Sequence, residues 1–147
     1  MSQLRHLALA GLLALAGCGG TPELSSPVPL EALAFGDSSP VEWSGPGPRA
    51  YQVHGVDVAR FQDRIDWRAA RRGGVSFAFI KATEGGDRRD PMFDSHWRDA
   101  GRAGVARGAY HFYYFCTPAE VQARWFIENV PRTTGALPPV LDLEWNA

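Results

Sequence analysis

A chain of 147 residues has room for one ordinary domain or part of a larger one, and 45% apolar with 12% aromatic residues is enough for a packed core, which excludes wholesale disorder. Its 15 basic side chains stand against 16 acidic ones for a net charge of −1, and no basic stripe interleaved with aromatics occurs, which argues against nucleic acid as a partner. There is no HExxH, no paired CxxC, no phosphate loop and no glycine fingerprint for dinucleotides, so neither a metal nor a cofactor is expected.

The first 17 residues read as a leader. Arg5 precedes the apolar run Leu7–Ala16, which is too short to span a membrane, and Leu15-Ala16-Gly17-Cys18 follows directly. That ending resembles the lipobox of bacterial lipoproteins. The resemblance implies cleavage before Cys18, lipidation of its sulfur and anchorage of the protein in the bacterial cell envelope. Gly19 lacks the acidic retention signal of inner-membrane lipoproteins, so the outer membrane is expected if the cell is Gram-negative. Residues 18–50 carry Pro22, Pro27, Pro29, Pro40, Pro46 and Pro48 among Ser and Gly, which reads as an extended tether. Once Cys18 is lipidated, Cys116 cannot form an internal disulfide, and after four aromatic residues it reads as a buried structural thiol.

From residue 51 the texture is that of a folded domain. Val53–Val58 is a short buried strand ending in Asp57. Asp66 can cap a helix over Trp67–Arg72, which Gly73-Gly74 stops. Ser76–Lys81 is a second strand, leading into a loop at Ala82–Gly86. Asp90-Pro91 opens a second helix, whose Phe93, Trp97, Ala100 and Gly104 make one apolar stripe while Asp94 and Arg98 pair on the other side. Val105–Phe115 is a third strand. Thr117-Pro118-Ala119-Glu120 has capping-box spacing and starts a third helix running to about Val130, with Val121, Trp125 and Phe126 inward. The landmarks Asp57, Ile80, Tyr110 and Asp142 are spaced by 23, 30 and 32 residues, which is βαβ spacing and predicts an α/β fold with a parallel sheet.

The last strand carries the chemistry. Pro138-Pro139-Val140-Leu141-Asp142-Leu143-Glu144-Trp145 reads as a buried strand with two carboxylates on one face, their Cα atoms roughly 6.5–7 Å apart. Two like charges on one buried face are costly unless one holds its proton. Glycoside hydrolysis is a reaction that requires two such carboxyls. A helix cap or a salt bridge at a strand end is the plainer alternative. Residues at the carboxyl ends of parallel strands face the active site, so Asp57, Lys81, Tyr110-His111, Asp142 and Glu144 are expected to converge on one rim.

His54-Gly55-Val56-Asp57-Val58, Ile65-Asp66-Trp67, Phe79-Ile80-Lys81-Ala82-Thr83-Glu84-Gly85, Gly108-Ala109-Tyr110-His111-Phe112 and Pro139-Val140-Leu141-Asp142-Leu143-Glu144 occur in this order. Together they resemble the glycoside hydrolase family 25 lysozymes, over about Val53 to Ala147. The resemblance implies a parallel, TIM-like β/α barrel that cleaves the β-1,4 bond between N-acetylmuramic acid and N-acetylglucosamine in peptidoglycan glycan strands. It implies Glu144 as the general acid and Asp142 beside it, either stabilising positive charge at the sugar or orienting the 2-acetamido group. Asp57 would complete the acidic cluster, and Lys81, Tyr110 and Trp145 would contact substrate, although the two aromatics could equally serve as packing. A non-catalytic, peptidoglycan-binding lipoprotein on a degraded barrel is the alternative from another class, and a monomer is expected in either case. A full barrel has eight strands and about 250 residues. Residues 51–147 supply four strands, the N-terminal half of such a domain, so the chain reads as a fragment, inactive or poorly folded alone.

Overall fold

The computed structural model describes residues 42–145; the leader, Cys18 and most of the tether lie outside them. In order run β1 (His54–Val58), α1 (Trp67–Arg72), β2 (Val75–Glu84), β3 (Arg88–Arg89), α2 (Phe93–Arg102), β4 (Ala106–Phe112), α3 (Ala119–Asn129) and β5 (Val140–Asp142), with single turns of 3-10 helix at Pro48–Ala50 and Arg60–Gln62. The strands β1, β2, β4 and β5 lie side by side in that order and are all parallel, as the βαβ spacing predicts, in an α/β fold whose sheet curls. β3 is a short antiparallel partner to the end of β2.

One face of the sheet meets the helices. Val58, Ala78, Ile80, Ala82 and Ala109 pack there against Trp67, Phe93, Trp97 and Ala100. Burying a side chain such as Ile80 or Phe93 stabilises the fold by about 1.5–3 kcal/mol. The predicted stripe of α2 accounts for this: Phe93, Trp97 and Ala100 are all buried. α1 begins as expected, with the Asp66 carboxylate accepting from Ala69 N–H at 2.9 Å, and the chain turns out of it at Gly74, whose φ of 106° suits glycine alone.

The other face is concave and carries Asp57, Phe77, Phe79, Lys81, Tyr110, Phe112 and Asp142. Glycine makes room for its rings. A Cβ at Gly55 would lie 2.1 Å from the Phe77 ring, and one at Gly108 2.5 Å from the Phe79 ring. Each phenylalanine therefore folds over a glycine of the neighbouring strand.

Several expectations are corrected. Ala82–Glu84 is strand, not loop, because the ladder continues across a bulge between Lys81 and Thr83. A bulge reverses the alternation of faces, so Lys81 and Glu84, three residues apart, share the concave face. The third strand stops at Phe112, so Phe115 and Cys116 leave the sheet and are exposed; Cys116 is not a buried thiol. The capping box does not form, and the buried side chain of α3 is Gln122, while Val121 faces outward. Asp94 pairs with Arg89 and Arg98 with Asp99, so the expected Asp94–Arg98 pair is absent. The helix opened by Asp90-Pro91 starts only at Phe93; Asp90 instead accepts from Met92 N–H and Arg60 N–H, both at 2.9 Å. Finally, β5 is not a buried strand. It is the edge of the sheet, and Leu141 and Leu143 are 55% and 58% exposed.

Candidate active site

Asp57 is the penultimate residue of β1, and Asp142 ends β5, with β2 and β4 lying between the two strands. Curling of the sheet brings them to one concavity of about 340 Å³, lined also by Phe79, Tyr110, Val140, Leu141, Leu143 and Glu144. Glu144 lies two residues past the end of β5, yet it still shares this hollow with Asp142, as alternation predicts. Tyr110 is the floor. Its phenol is pushed well above its usual value by burial first, and then by the negative charges of Asp57, Asp142, Asp90 and Glu144. It therefore keeps its proton, and its hydroxyl is both a donor and an acceptor for a ligand among these carboxylates. Asp57 and Glu144 are themselves exposed.

Glu144 also lines a second hollow, of about 310 Å³, with Phe112, Tyr113, Tyr114, Phe115, Cys116 and Trp145. Phe115 and Trp145 meet edge to face with centroids 5.8 Å apart, and Phe112 and Tyr114 do the same at 5.9 Å. Trp145 is 82% exposed, so its ring offers a free face. Glu144 thus stands between an acidic hollow and an aromatic one.

Lys81 lines neither hollow. Its ammonium forms a buried ion pair with Glu84 and lies 4.6 Å from the Phe112 ring centroid. Burial acts to raise the Glu84 carboxyl, but Lys81, the Tyr114 hydroxyl donating at 3.1 Å, and Arg60 outweigh it and hold it below its usual range. Tyr110 and His111, adjacent in sequence, face opposite sides of β4. Whereas Tyr110 reaches the acidic hollow, His111 lies between β2 and α3. There Thr83 Oγ1 donates to His111 Nδ1 at 2.8 Å and His111 Nε2 donates to Gln122 Oε1 at 3.1 Å.

The expected rim is therefore met in part: Asp57, Asp142, Glu144 and Tyr110 gather, Trp145 flanks them, and Lys81 and His111 are used elsewhere. The residues not anticipated are Glu84 and Gln122. A bulge hid the first, since three-residue spacing in a regular strand would have separated Glu84 from Lys81. A polar residue inside the helix run Val121–Phe126 was the available signal for the second. Among the described residues no group of three or more His, Cys, Asp and Glu side chains is arranged to hold a metal ion.

Residues 56–147 match the family Glycosyl hydrolases family 25. The uncharacterized protein YegX of Escherichia coli K12 is 45% identical over 102 residues, covering 66% of this chain and 38% of YegX. Lysozyme M1 of Streptomyces globisporus is 41% identical over 98 residues, covering 64% of this chain and 33% of that lysozyme. The structure of a family 25 glycosyl hydrolase from Bacillus anthracis superposes with a TM-score of 0.64 at 47% identity, covering 67% of this chain and 45% of that one. The chain spans less than half the length of each of these relatives. With the match running through β1, β2, β4 and β5 and both ends of the acidic hollow, the chain belongs to glycosyl hydrolases family 25.

Proposed function

We propose that the chain carries the acid–base site of a muramidase, its four parallel strands being the first four of a TIM-like β/α barrel. The substrate is a peptidoglycan glycan strand, cut at the β-1,4 bond between N-acetylmuramic acid and N-acetylglucosamine. Glu144 gives its proton to the glycosidic oxygen as the C1–O bond breaks and the bonding pair moves to that oxygen. Positive charge then develops at the sugar ring. Asp142 faces that charge directly or holds the 2-acetamido group that answers it, and Asp57 adds negative potential from the far strand. Water adds at C1 and its proton restores Glu144. Tyr110, held protonated, adds no charge to the hollow and offers its hydroxyl to the sugar, and the rings of Trp145 and Phe115 offer a sugar face on the other side of Glu144.

The observation that supports this reading is the single hollow shared by Asp57, Asp142 and Glu144 around Tyr110. Glu144→Gln keeps the shape and removes the proton donor. It is expected to lower release of reducing ends from purified peptidoglycan by about 10²–10⁴-fold, the usual contribution of a positioned general acid. Sedimentation with peptidoglycan should be unchanged. A wild-type chain that sediments but never releases reducing ends would show a binding protein, or an inactive fragment of the enzyme, instead.

A further inference from the structure

All but two of the residues lining the aromatic hollow come from one stretch, Phe112–Cys116, which leaves the sheet where β4 ends. A segment beyond its strand has no ladder to hold it, and its backbone groups need partners. Tyr113 N–H finds one, donating to Asp142 C=O at 3.0 Å. Tyr114 is held by a side chain. Gln122 Oε1 accepts from Tyr114 N–H at 2.8 Å, and Gln122 Nε2 donates to Tyr114 C=O at 2.9 Å and to Thr117 C=O at 2.7 Å. One primary amide thus pairs with both backbone groups of Tyr114, as the next strand of a sheet would.

The amide has only one workable orientation. Its oxygen meets two donors, Tyr114 N–H and His111 Nε2–H, and its nitrogen meets two carbonyls. Gln122 is 1% exposed, so its amide cannot turn to water instead. The phenol end of Tyr114 is fixed independently: its hydroxyl donates to Glu84, and its ring lies where a Cβ on Gly85 would come within 2.7 Å.

We propose that Gln122 is a positioning residue for the glycan site, setting the aromatic wall Tyr113–Cys116 against Glu144 and Trp145. It touches no substrate. It acts by fixing the backbone from which Tyr113 and Phe115 reach the hollow, and so governs how well a sugar is held beside the acid rather than the proton transfer itself. This rests on the hydrolase reading above. Binding contacts made equally in ground and transition states appear in KM and leave kcat alone, so a split between the two separates positioning from simple destabilisation.

The test is Gln122→Met in the full chain, which keeps length and loses every hydrogen bond. With a tetrasaccharide of alternating N-acetylglucosamine and N-acetylmuramic acid as substrate, KM is expected to rise about 10-fold with kcat within about 2-fold, the pattern of lost uniform binding. Amide hydrogen exchange should show Tyr114 N–H losing protection while the β2 and β4 amides keep theirs. If Q122M does not fold, Q122E serves: it keeps volume and both accepting contacts, but turns an oxygen toward the Tyr114 and Thr117 carbonyls, with the same expected direction. An unchanged Tyr114 exchange rate overturns the clamp. Faster exchange with unchanged KM overturns the link to glycan, and so does a fall in kcat alone, which means a smaller folded fraction. The exchange readout needs no substrate. A wild-type chain that leaves the tetrasaccharide intact therefore counts against the hydrolase reading, while loss of Tyr114 protection in Q122M still supports the clamp.

Discussion

On the helix-covered face of the sheet, Ala78, Ile80 and Ala82 of β2 have no exposed surface, and their partners are Trp67, Phe93 and Trp97. On the concave face of the same sheet, Asp57 and Glu144 are open, and the buried members include the ion pair Lys81–Glu84 and the phenol of Tyr110. One face gathers apolar area and the other gathers charge. The difference shows how a single strand can serve both stability and chemistry. Residues of β2 alternate between the two tasks until the bulge after Lys81, where the alternation is reset so that Glu84 joins Lys81 instead of the core.

The sharpest way to break this division is at the charged pair. If Lys81 and Glu84 are a structural clasp within the concave face, Glu84→Gln leaves a buried ammonium without its partner and is expected to cost about 3–5 kcal/mol at neutral pH, measured by urea denaturation. The pH dependence adds a signature. The folded-state pKa of Glu84 is depressed, so its contribution is complete above the unfolded value of about 4.3 and is lost as pH falls through the lower folded value. The gap between wild type and E84Q should therefore narrow below about pH 4.3 and stay constant above it. A gap that stays constant down to pH 2 would mean that the carboxylate is not the stabilising group.

The second comparison sets the covered face against the edge. Ile80→Ala removes a fully buried side chain from the centre of β2 and is expected to cost about 2–5 kcal/mol. Leu141→Ala, in the apolar run of β5, should fall within about 0.5 kcal/mol of wild type, because more than half of that side chain is already in water. Equal losses in the same denaturation series would mean that β5 is covered in solution.

These two strands also show what the sequence could and could not tell. Both are apolar runs, and both were legible as strands from composition. Burial was read for β5 and failed there, since it depends on what lies alongside and not on the letters themselves. The order of elements, the Asp66 cap and the α2 stripe followed from local rules that tertiary contacts did not override. The approach of Asp57 to Asp142 and Glu144 followed from strand-end logic. The two helix-start signals at Asp90 and Thr117 misplaced the caps: Asp90 is taken up by Arg60 N–H, thirty residues away, and the N-cap of α3 falls on Pro118, one residue past Thr117. Lys81, expected at the substrate, is claimed by a glutamate that a regular strand would have put on the other face. Long-range partners and a bulge are invisible to periodicity, and the misreadings at Glu84, Gln122 and Lys81 trace to them.

The smallest effect tests the same point on the surface. Spacing on α2 sets Asp94 against Arg98, four residues on, but Asp94 instead receives two hydrogen bonds from Arg89, at 2.6 and 2.8 Å, while Arg98 turns to its neighbour Asp99. The forked geometry explains the choice. A guanidinium reaching across from β3 can meet both carboxylate oxygens at once, which a partner one helical turn away on the same face achieves less well. A double-mutant cycle on Arg89 and Asp94 is expected to give a coupling of about 0.2–1 kcal/mol at low salt, shrinking as salt is added, because Asp94 is largely exposed. The matching cycle on Asp94 and Arg98 should show no measurable coupling. If the helical pair coupled and the Arg89 pair did not, the β3 hairpin would not hold its place against α2, and the antiparallel pairing at the end of β2 would fall with it.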